Sequence, residues 1–520
     1  MPAPMTPAAL AEHLCAQLRG GAAAAALLAE LRPRVTTAQA EELLTWLAAN
    51  PEACPREHRR LLQCAALALQ PIRTRAYTAA YEWAGPTLRR VLGSPEPIAE
   101  TWPFFSGPGK SSIILQDGQA PADAVTLEEW VRCVPEAMGP LGTDSSHGGQ
   151  KYFFVKFLDP SDFPPFAYVG FEPTAVAAAL DRLGARPQTP EARQDAFRAH
   201  LHALLWEDRQ AVEEFAAAAR PRVESPEAFA SLKTAYKQWA VAQAEANWDG
   251  AVESPQTAAL EDFGASATTL RALLSRMQQA RRQLTGLMHR IDFEEHQAIL
   301  IESPTLHAIA GLSLQVHPKT RDNFHPKDEA WLYAPVRDAQ GRSIGWVLVE
   351  PQRTFDRTES GADFFTPFAW APQGLGFRKP ITQAYLKTFL ALVDLVPKPR
   401  EEYVRRAVPE QPPAGVMRGG AQWSRVIDEA RWPYFVVRAL RFTGPGEAVD
   451  ALPHHSFSEL HVTQGEVEVT LRRGEKSHRL AVSPSHPVLL PATLPYEMIA
   501  YRAAGPAHMI LCTRPPAAAA

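Results

Sequence analysis

The stretch "HAIAGLSLQVHP", residues 307–318, combines a strand-like alternation of apolar and polar residues with two histidines and a glutamine. Gln315 and His317 stand two residues apart, so a strand would carry both side chains on one face. Ala310–Gly311 is a possible tight turn, and a hairpin there would bring His307 nearly opposite Gln315. The pattern therefore predicts that two imidazoles and an amide oxygen converge within one short hairpin.

The strand that follows adds a carboxylate. Glu329 lies twelve residues after His317, where the run "EAWLYAPV" begins. Two imidazoles, one amide oxygen and one carboxylate form a ligand set suited to a divalent ion such as Zn²⁺. His325 is a rival ligand, and the alternative interpretation is that these residues are polar side chains on the solvated face of a sheet. We predict one metal site with four ligands: Gln315, His317, Glu329 and His307.

Two parts of the chain are predicted to be helical. Residues 1–94 have apolar residues at three- and four-residue spacing, which predicts an N-terminal helical domain with Thr37 as a helix cap. Residues 174–292 show the same period over longer stretches and are predicted to form a helical insertion. Within that insertion, the basic cluster at 276–283 is predicted to be a solvated face.

The other three blocks are rich in strand patterns. Residues 95–173 and 293–400 contain short β-like runs, and the second of these blocks also carries a helix expected to start at Pro380. Residues 401–520 show short alternating strands separated by Gly and Pro turns, which predict a small barrel or jelly roll.

The composition excludes several classes of function. The chain has 520 residues and a net charge of −4, which gives no electrostatic basis for binding nucleic acid or an anionic membrane. The five cysteines are scattered and form no CxxC motif, which indicates a reducing compartment. No apolar run reaches the roughly 20 residues of a membrane helix, and the amino terminus lacks a signal-peptide pattern. We therefore expect a cytoplasmic protein, with a monomer favoured.

Three of these segments resemble the zinc-binding segments of the type I phosphomannose isomerases (mannose-6-phosphate isomerases). They are "LSLQVHP" (312–318), "KDEAW" (327–331) and "SPTLHAI" (303–309). The resemblance implies the same four ligands to Zn²⁺ and places Ser313 near the substrate.

Further segments are similar to other parts of the same family, and together the matches cover about half the chain. "VEPQRTFDRTESGADF" (349–364) resembles a Glu-x-Gln strand followed by Asp-x-Thr. "ETW" (100–102) and "KYFFVKFLDPSDF" (151–163) resemble the start of the catalytic core, with Lys156 on the family's lysine. The positions matched after the Gln-x-His strand are Glu350, Gln352, Asp356, Thr358 and Asp363.

The resemblance implies an α+β fold with two cupin-type β jelly-roll barrels. Residues 95–173 and 293–400 would be the two parts of a catalytic cupin core, and 401–520 a C-terminal cupin-like barrel. In that barrel His461 is the single histidine of "ELHV", and Tyr496 occupies the place of a second cupin histidine. We therefore expect the second barrel to be structural or to form a lid, without a metal.

The chain departs from the family's pattern in three respects. In the family the Gln-x-His strand directly follows "KFLD", whereas here "FPPFAYVGF" and a helical block lie between them. The His-Ala-Ile segment precedes the Gln-x-His strand here, whereas it follows that strand in the family. The family's catalytic arginine falls on Ser360, with Arg353 and Arg357 at neighbouring positions. These departures favour a second hypothesis, a non-catalytic carbohydrate-binding or regulatory protein with the same fold.

The first hypothesis is a metal-dependent aldose–ketose isomerase that converts a hexose phosphate, of the mannose-6-phosphate/fructose-6-phosphate type, through an enediol. The neutral amide of Gln315 would leave more positive charge on the ion for the substrate oxygens. A third hypothesis, an iron-dependent oxygenase, is disfavoured by the glutamine, since such sites use two histidines and a carboxylate. The predicted catalytic residues are Arg353, Arg357, Lys156 and Glu350, and the predicted substrate-binding residues are Ser313, Lys156 and Gln352.

Overall fold

The computed structural model describes most of the chain between residues 6 and 514. The exceptions within that span are 22–23, 81–83, 108–109, 117–123, 140–152, 185–188, 223–224, 250–259, 261–265, 294–297, 302–327, 339, 354–381, 393–394, 403–416, 428–434, 451–455 and 495.

Four helices open the chain, and their apolar faces pack together. They are α1 (Pro7–Arg19), α2 (Ala24–Arg34), α3 (Thr37–Ala49) and α4 (Arg56–Leu67). The cap of α3 is Thr36, one residue before the predicted Thr37: its hydroxyl accepts from the Gln39 backbone N–H, and its own N–H donates to the Gln39 side chain. This capping box requires a Gln three residues after the cap, a condition that Thr36 meets and Thr37 does not.

The prediction that residues 1–94 are helical holds as far as Leu67. Two short strands follow, β1 (Thr74–Arg75) and β2 (Tyr77–Ala79), and then the helix α5 (Thr87–Leu92). β2 pairs with β3 (Glu100–Trp102), so this segment joins the sheet that comes next in the chain. A three-residue edge strand is too short for sequence periodicity to reveal.

Further strands and one helix lie before the long helices. They are β4 (Ser106–Gly107), β5 (Lys110–Ser111), β6 (Ile113–Ile114), α6 (Leu127–Cys133), β7 (Phe153–Leu158) and β8 (Phe166–Phe171). A 3₁₀ turn at Pro135–Met138 follows α6. β3 to β8 lie in the block 95–173, for which the sequence predicts short strands.

A block of long helices packs against one face of the sheet. It contains α7 (Pro173–Arg182), α8 (Pro190–Ala219), α9 (Pro226–Glu245) and α10 (Ala267–Thr285), and a 3₁₀ turn at Arg220–Arg222. The first three helices begin at a proline that follows a side-chain cap, as expected for proline in a first turn. The predicted helical block runs to residue 292, but α10 ends at Thr285 and β9 (Met288–Asp292) pairs with β8.

The six-stranded sheet combines strands from distant parts of the chain. Its last members are β10 (Ala298–Ile301), β11 (Asp328–Arg337) and β12 (Ser343–Arg353), and the helix α11 (Gln383–Leu392) follows them. The strand order is β10-β11-β12-β7-β3-β2, with neighbouring strands antiparallel. Leu158 and Leu348 belong to the core shared with the long helices, whereas Val155 and Val347 belong to the core shared with the N-terminal helices. The sheet therefore separates two hydrophobic cores.

The last block is a second sheet of eight strands. They are β13 (Met417–Ile427), β14 (Val436–Asp450), β15 (Ser458–Gln464), β16 (Val467–Arg473), β17 (Lys476–Val482), β18 (Val488–Leu490), β19 (Met498–Ala503) and β20 (Ala507–Thr513). The order is β17-β16-β19-β14-β20-β15-β18, with β13 beside β14. β15 also contacts β17, so the sheet is nearly closed into a barrel.

The mixed helix-and-sheet class is confirmed, and the C-terminal strands form the barrel-like sheet that the sequence predicts. The six-stranded sheet follows an open path in the described part of the chain, so the prediction of two cupin-type jelly rolls stays a prediction. The domain boundaries also stay predictions.

Hydrogen bonds join the N-terminal segment directly to the barrel. Ile72 and Leu489 exchange two backbone hydrogen bonds of 2.8 and 2.9 Å. The Thr493 hydroxyl donates to the Ala68 carbonyl at 2.6 Å. Of the helices described, none combines the length and apolar character that a membrane crossing requires.

Candidate active site on the six-stranded sheet

Two charged residues face each other in the middle of the sheet. Lys156 on β7 and Glu350 on β12 are cross-strand partners, and Lys156 Nζ lies 3.4 Å from Glu350 Oε1. Their side chains are 4% and 0% exposed. Taking two charges out of water costs several kcal/mol per ion before their attraction offsets it. A fully buried Lys–Glu pair is therefore an expensive feature, and such features concentrate at functional sites.

The alternation of the strands shows which face carries the pair. Val155 and Phe157 flank Lys156 and belong to the core shared with the N-terminal helices. Leu158, two residues from Lys156, belongs to the core shared with the long helices. Because side chains two residues apart on a strand share a face, the pair lies on the face turned toward the long helices.

The end of β7 is held by a buried carboxylate. Asp159 accepts a hydrogen bond from the Leu88 backbone N–H at 2.7 Å and another from the Ser161 hydroxyl at 2.5 Å. Burial raises the pKa of Asp159, while these hydrogen bonds oppose that shift. Asp159 thus ties the first turn of α5 to the strand that carries Lys156.

A glycine on β12 allows α5 to lie close to the sheet. Gly345 has φ of +140°, and a Cβ there would lie 2.0 Å from the Thr87 hydroxyl oxygen at the start of α5. Only glycine tolerates both this φ and this contact. These contacts hold α5, β7 and β12 together beside Asp159, next to the Lys156–Glu350 pair.

The backbone register brings further predicted site residues to the same end of the sheet. Glu329, at the start of β11, is the register partner of Gln352 on β12 and of Ile301 on β10. Arg353 is the partner of Asp328 on β11 and of Phe153 on β7. Glu350 stands two residues before Gln352 on the same strand. Four predicted residues (Glu329, Glu350, Gln352 and Lys156) thus lie on three adjacent strands.

The remaining predicted residues lie outside the described part of the chain. These are the ligands Gln315, His317 and His307, the rival ligand His325, the substrate-binding Ser313 and the catalytic Arg357, together with Asp356, Thr358, Ser360 and Asp363. The predicted hairpin turn at Ala310–Gly311 and the helix start at Pro380 also lie outside it. Within the described ranges, no three His, Cys, Asp or Glu side chains come close enough to hold a metal ion. The four-ligand site therefore stays a prediction.

A second buried pair of titratable side chains was not predicted from the sequence. His461 was expected to be a lone histidine, but its Nε2 lies 2.8 Å from Oε2 of Glu459, two residues earlier on β15. The two side chains are each 1% exposed, and the imidazole ring packs at 5.1 Å from the Phe157 ring. Burial raises the pKa of Glu459 well above its ordinary value and lowers the pKa of His461 to about 3. The signal available in the sequence was the Glu-x-His spacing in "ELHV", which places both groups on one strand face.

Glu459 and His461 point away from the interior of the barrel. Leu460 and Val462 alternate with them and belong to the barrel's own core. His461 instead contacts Phe104 and Phe157, which lie outside the barrel. The pair therefore lies at the contact between the barrel and the six-stranded sheet, on the face opposite Lys156.

Comparison with known proteins gives a distant likeness. No protein-family model matches the chain, and no curated protein matches it significantly. The chain is similar to a crystal structure of mannose 6-phosphate isomerase from Salmonella typhimurium bound to its substrate and zinc, at 15% identity and a TM-score of 0.37, covering 85% of this chain and 99% of that chain. A mannose 6-phosphate isomerase bound with zinc and yttrium matches at 15% identity, the same coverage and a TM-score of 0.38. These values do not by themselves establish membership of that family.

Proposed function

We propose that the protein is a metal-dependent aldose–ketose isomerase that acts on a hexose phosphate of the mannose-6-phosphate/fructose-6-phosphate type. The observation that carries the proposal is the buried Lys156–Glu350 pair, 3.4 Å apart on neighbouring strands. Both strands belong to segments that resemble the phosphomannose isomerase core. Their backbone register also brings Glu329 opposite Gln352 at the same sheet end.

The proposed donor set fits a divalent ion by its chemistry. Two imidazoles, one carboxylate and one amide oxygen (His307, His317, Glu329 and Gln315) are nitrogen and oxygen ligands of the kind Zn²⁺ accepts. When bound, such an ion acts as a Lewis acid toward vicinal sugar oxygens.

The protein's own residues would manage charge and protons. Lys156 is a buried cation that would attract a phosphate or the negative charge that develops on the enediol oxygens. Glu350 is a buried carboxylate in reach of that cation and would orient it or take a proton from the sugar carbon. Arg353 and Arg357 would supply further positive charge, and Ser313 and Gln352 would hold substrate hydroxyls.

Metal analysis and an isomerase assay on the purified protein test the proposal. We expect about one equivalent of divalent metal per chain and interconversion of fructose 6-phosphate and mannose 6-phosphate. Replacing Gln315 and His317 together with alanine should remove the metal and the turnover. His478, a partly exposed histidine on β17, provides a matched control, since His478→Ala should change neither. Wild-type protein free of divalent metal and inert toward hexose phosphates would contradict the proposal.

A second candidate function has one specific observation in its favour. Ser360 occupies the position of the family's catalytic arginine. A non-catalytic protein that binds metal and sugar phosphate would show saturable binding of mannose 6-phosphate without turnover. Measuring binding by calorimetry on the sample used for the assay distinguishes the two functions.

A further inference from the structure

A cavity of about 570 Å³ lies between the barrel and the six-stranded sheet. α5 contributes Leu88 and Val91 to its wall, the sheet contributes Phe157 and Val347, and β15 contributes His461. Most of the lining is apolar. The volume falls within the range of roughly 300–1,000 Å³ that small-molecule sites occupy.

Two buried polar atoms in this lining have no hydrogen-bond partner among the described residues. They are Nδ1 of His461 and the hydroxyl oxygen of Thr101. His461 is 1% exposed and Thr101 is 3% exposed. Thr101 is the cross-strand partner of Phe157, whose ring packs on His461, so the two atoms belong to one region of the wall. A buried polar group without a partner is unfavourable, and a ligand that bonds to these two atoms would remove that cost.

The partner of His461 determines what Nδ1 can offer. Nε2 shares a hydrogen bond with the Glu459 carboxyl group, so Nδ1 of a neutral imidazole is a donor when Glu459 supplies the hydrogen of that bond and an acceptor when Nε2 supplies it. Nδ1 can therefore bond to a ligand hydroxyl in either tautomer. The Thr101 hydroxyl can donate or accept.

The exposed part of the cavity lining carries one positive charge. Arg75 is an exposed member of the lining, and no Asp or Glu is among the described residues that line it. This arrangement favours an anionic group at the solvent end of a ligand.

We propose that this cavity binds a small molecule with an apolar body, a hydroxyl or carbonyl oxygen at its buried end and an anionic group at its exposed end. His461 and Thr101 hold the oxygen, and Arg75 faces the anion. The site is separate from the proposed isomerase centre, because Phe157 and Lys156 project from opposite faces of β7.

Titration calorimetry with three related probes tests this site. The first probe is 3-(4-hydroxyphenyl)propanoate, which has all three features. The second, 3-phenylpropanoate, lacks the hydroxyl, and the third, 3-(4-hydroxyphenyl)propan-1-ol, lacks the anion. We expect saturable binding of the first probe to the full chain, and about tenfold weaker binding of each of the other two.

Two isosteric variants identify the contacts. His461→Phe keeps the ring packing, and Thr101→Val keeps the side-chain shape. Each variant should lower the affinity for the first probe about tenfold and leave the affinity for 3-phenylpropanoate unchanged. Thr101→Val should also raise the melting temperature of the free protein, because it removes an unsatisfied buried hydroxyl. Thr470→Val, at a buried threonine of β16 outside the cavity, is the matched control and should not alter binding.

Two results would overturn the proposal. One is the absence of saturable binding by all three probes at millimolar concentration. The other is binding of the first probe that both Thr101→Val and His461→Phe leave unchanged. Neither result depends on isomerase activity, so this site and the proposed function can fail separately.

Discussion

The long helices and the six-stranded sheet each contain a buried ion pair, and the two pairs differ in geometry and in their surroundings. In the helices, Arg281 Nε donates to Asp208 Oδ1 at 2.8 Å, with side chains 1% and 0% exposed. Arg281 also donates to the Tyr236 hydroxyl at 3.1 Å, and its guanidinium lies 5.3 Å from the Trp248 ring. In the sheet, Lys156 and Glu350 are 3.4 Å apart, a distance longer than the usual N–H···O hydrogen bond of about 2.7–3.2 Å.

The difference indicates two roles. A planar guanidinium fixed by a carboxylate, a hydroxyl and an indole has one geometry, which suits the joining of α8 to α10. A Lys ammonium is a compact charge with three rotatable donors on a flexible stem, which suits a site where the charge of a substrate must be bound and released. We therefore assign the helical pair to stability and propose the sheet pair for catalysis.

The largest expected effect on stability comes from breaking the helical pair. Asp208→Ala leaves Arg281 buried without its carboxylate and should lower the free energy of unfolding by about 3–5 kcal/mol. Urea unfolding monitored by circular dichroism measures this loss of unfolding free energy. The turnover per folded molecule should stay at the wild-type value. A loss below about 1 kcal/mol would show that contacts other than the Asp208 carboxylate, such as the Trp248 ring and the Tyr236 hydroxyl, are enough to support the guanidinium.

A smaller loss of stability is expected in the sheet. Glu350→Gln removes the charge but keeps the side-chain shape, and an amide oxygen still interacts with the ammonium. We expect a loss of about 2–3 kcal/mol in the same unfolding assay. In contrast to Asp208→Ala, this variant should reduce isomerase turnover by at least about a hundredfold. Unchanged turnover would contradict the catalytic assignment.

Double variants separate the two roles most sharply. Lys156→Met with Glu350→Gln, and Arg281→Met with Asp208→Asn, each remove both charges at once. Both should return to within about 1–2 kcal/mol of wild-type stability, because no uncompensated charge is left. Only the sheet double variant should lack isomerase activity. If both double variants keep full activity, the Lys156–Glu350 pair has no catalytic role.

A solvent-exposed ion pair provides the reference for these measurements of unfolding free energy. Arg132 and Glu128 lie 3.0 Å apart on α6, and Arg132 is 72% exposed. Arg132→Ala should change the free energy of unfolding by less than about 0.5 kcal/mol, because solvent screens such a pair. A larger loss would mean that the unfolding assay reports local fraying of α6 as well as ion-pair energy.

The sequence predicted the class of fold and many of its elements. Apolar periodicity located α8 and α10, and alternation located β7, β11 and β12, because each of these elements is long enough for its pattern to repeat. It did not reveal that Arg281 is buried: the cluster 276–283 was predicted to be a solvated face, and this holds for the exposed Arg282 but not for Arg281. The position of an arginine in a charged run says nothing about an aspartate 73 residues earlier.

Long-range pairings limited the prediction of the site in the same way. The position of Glu329 at the start of a predicted strand was enough to propose it as a ligand, whereas Glu350 and Gln352 were proposed only from the family resemblance. The pairing of β12 with β7, which puts Lys156 opposite Glu350, joins residues from distant segments, and the sequence did not predict it. The Glu459–His461 pair was missed for another reason: its burial depends on Phe104 and Phe157, which belong to remote parts of the chain.

The hydrogen bonds that join Ala68 and Ile72 to the barrel have a consequence for how the protein is made. The Thr493–Ala68 contact spans 425 residues, so the segment synthesised early completes its backbone pairing only after the barrel strands have left the ribosome. Closing a loop of that length before contacts can form slows folding. The N-terminal helices share their hydrophobic core with residues of the barrel, so that core is complete only when the last strands have been synthesised.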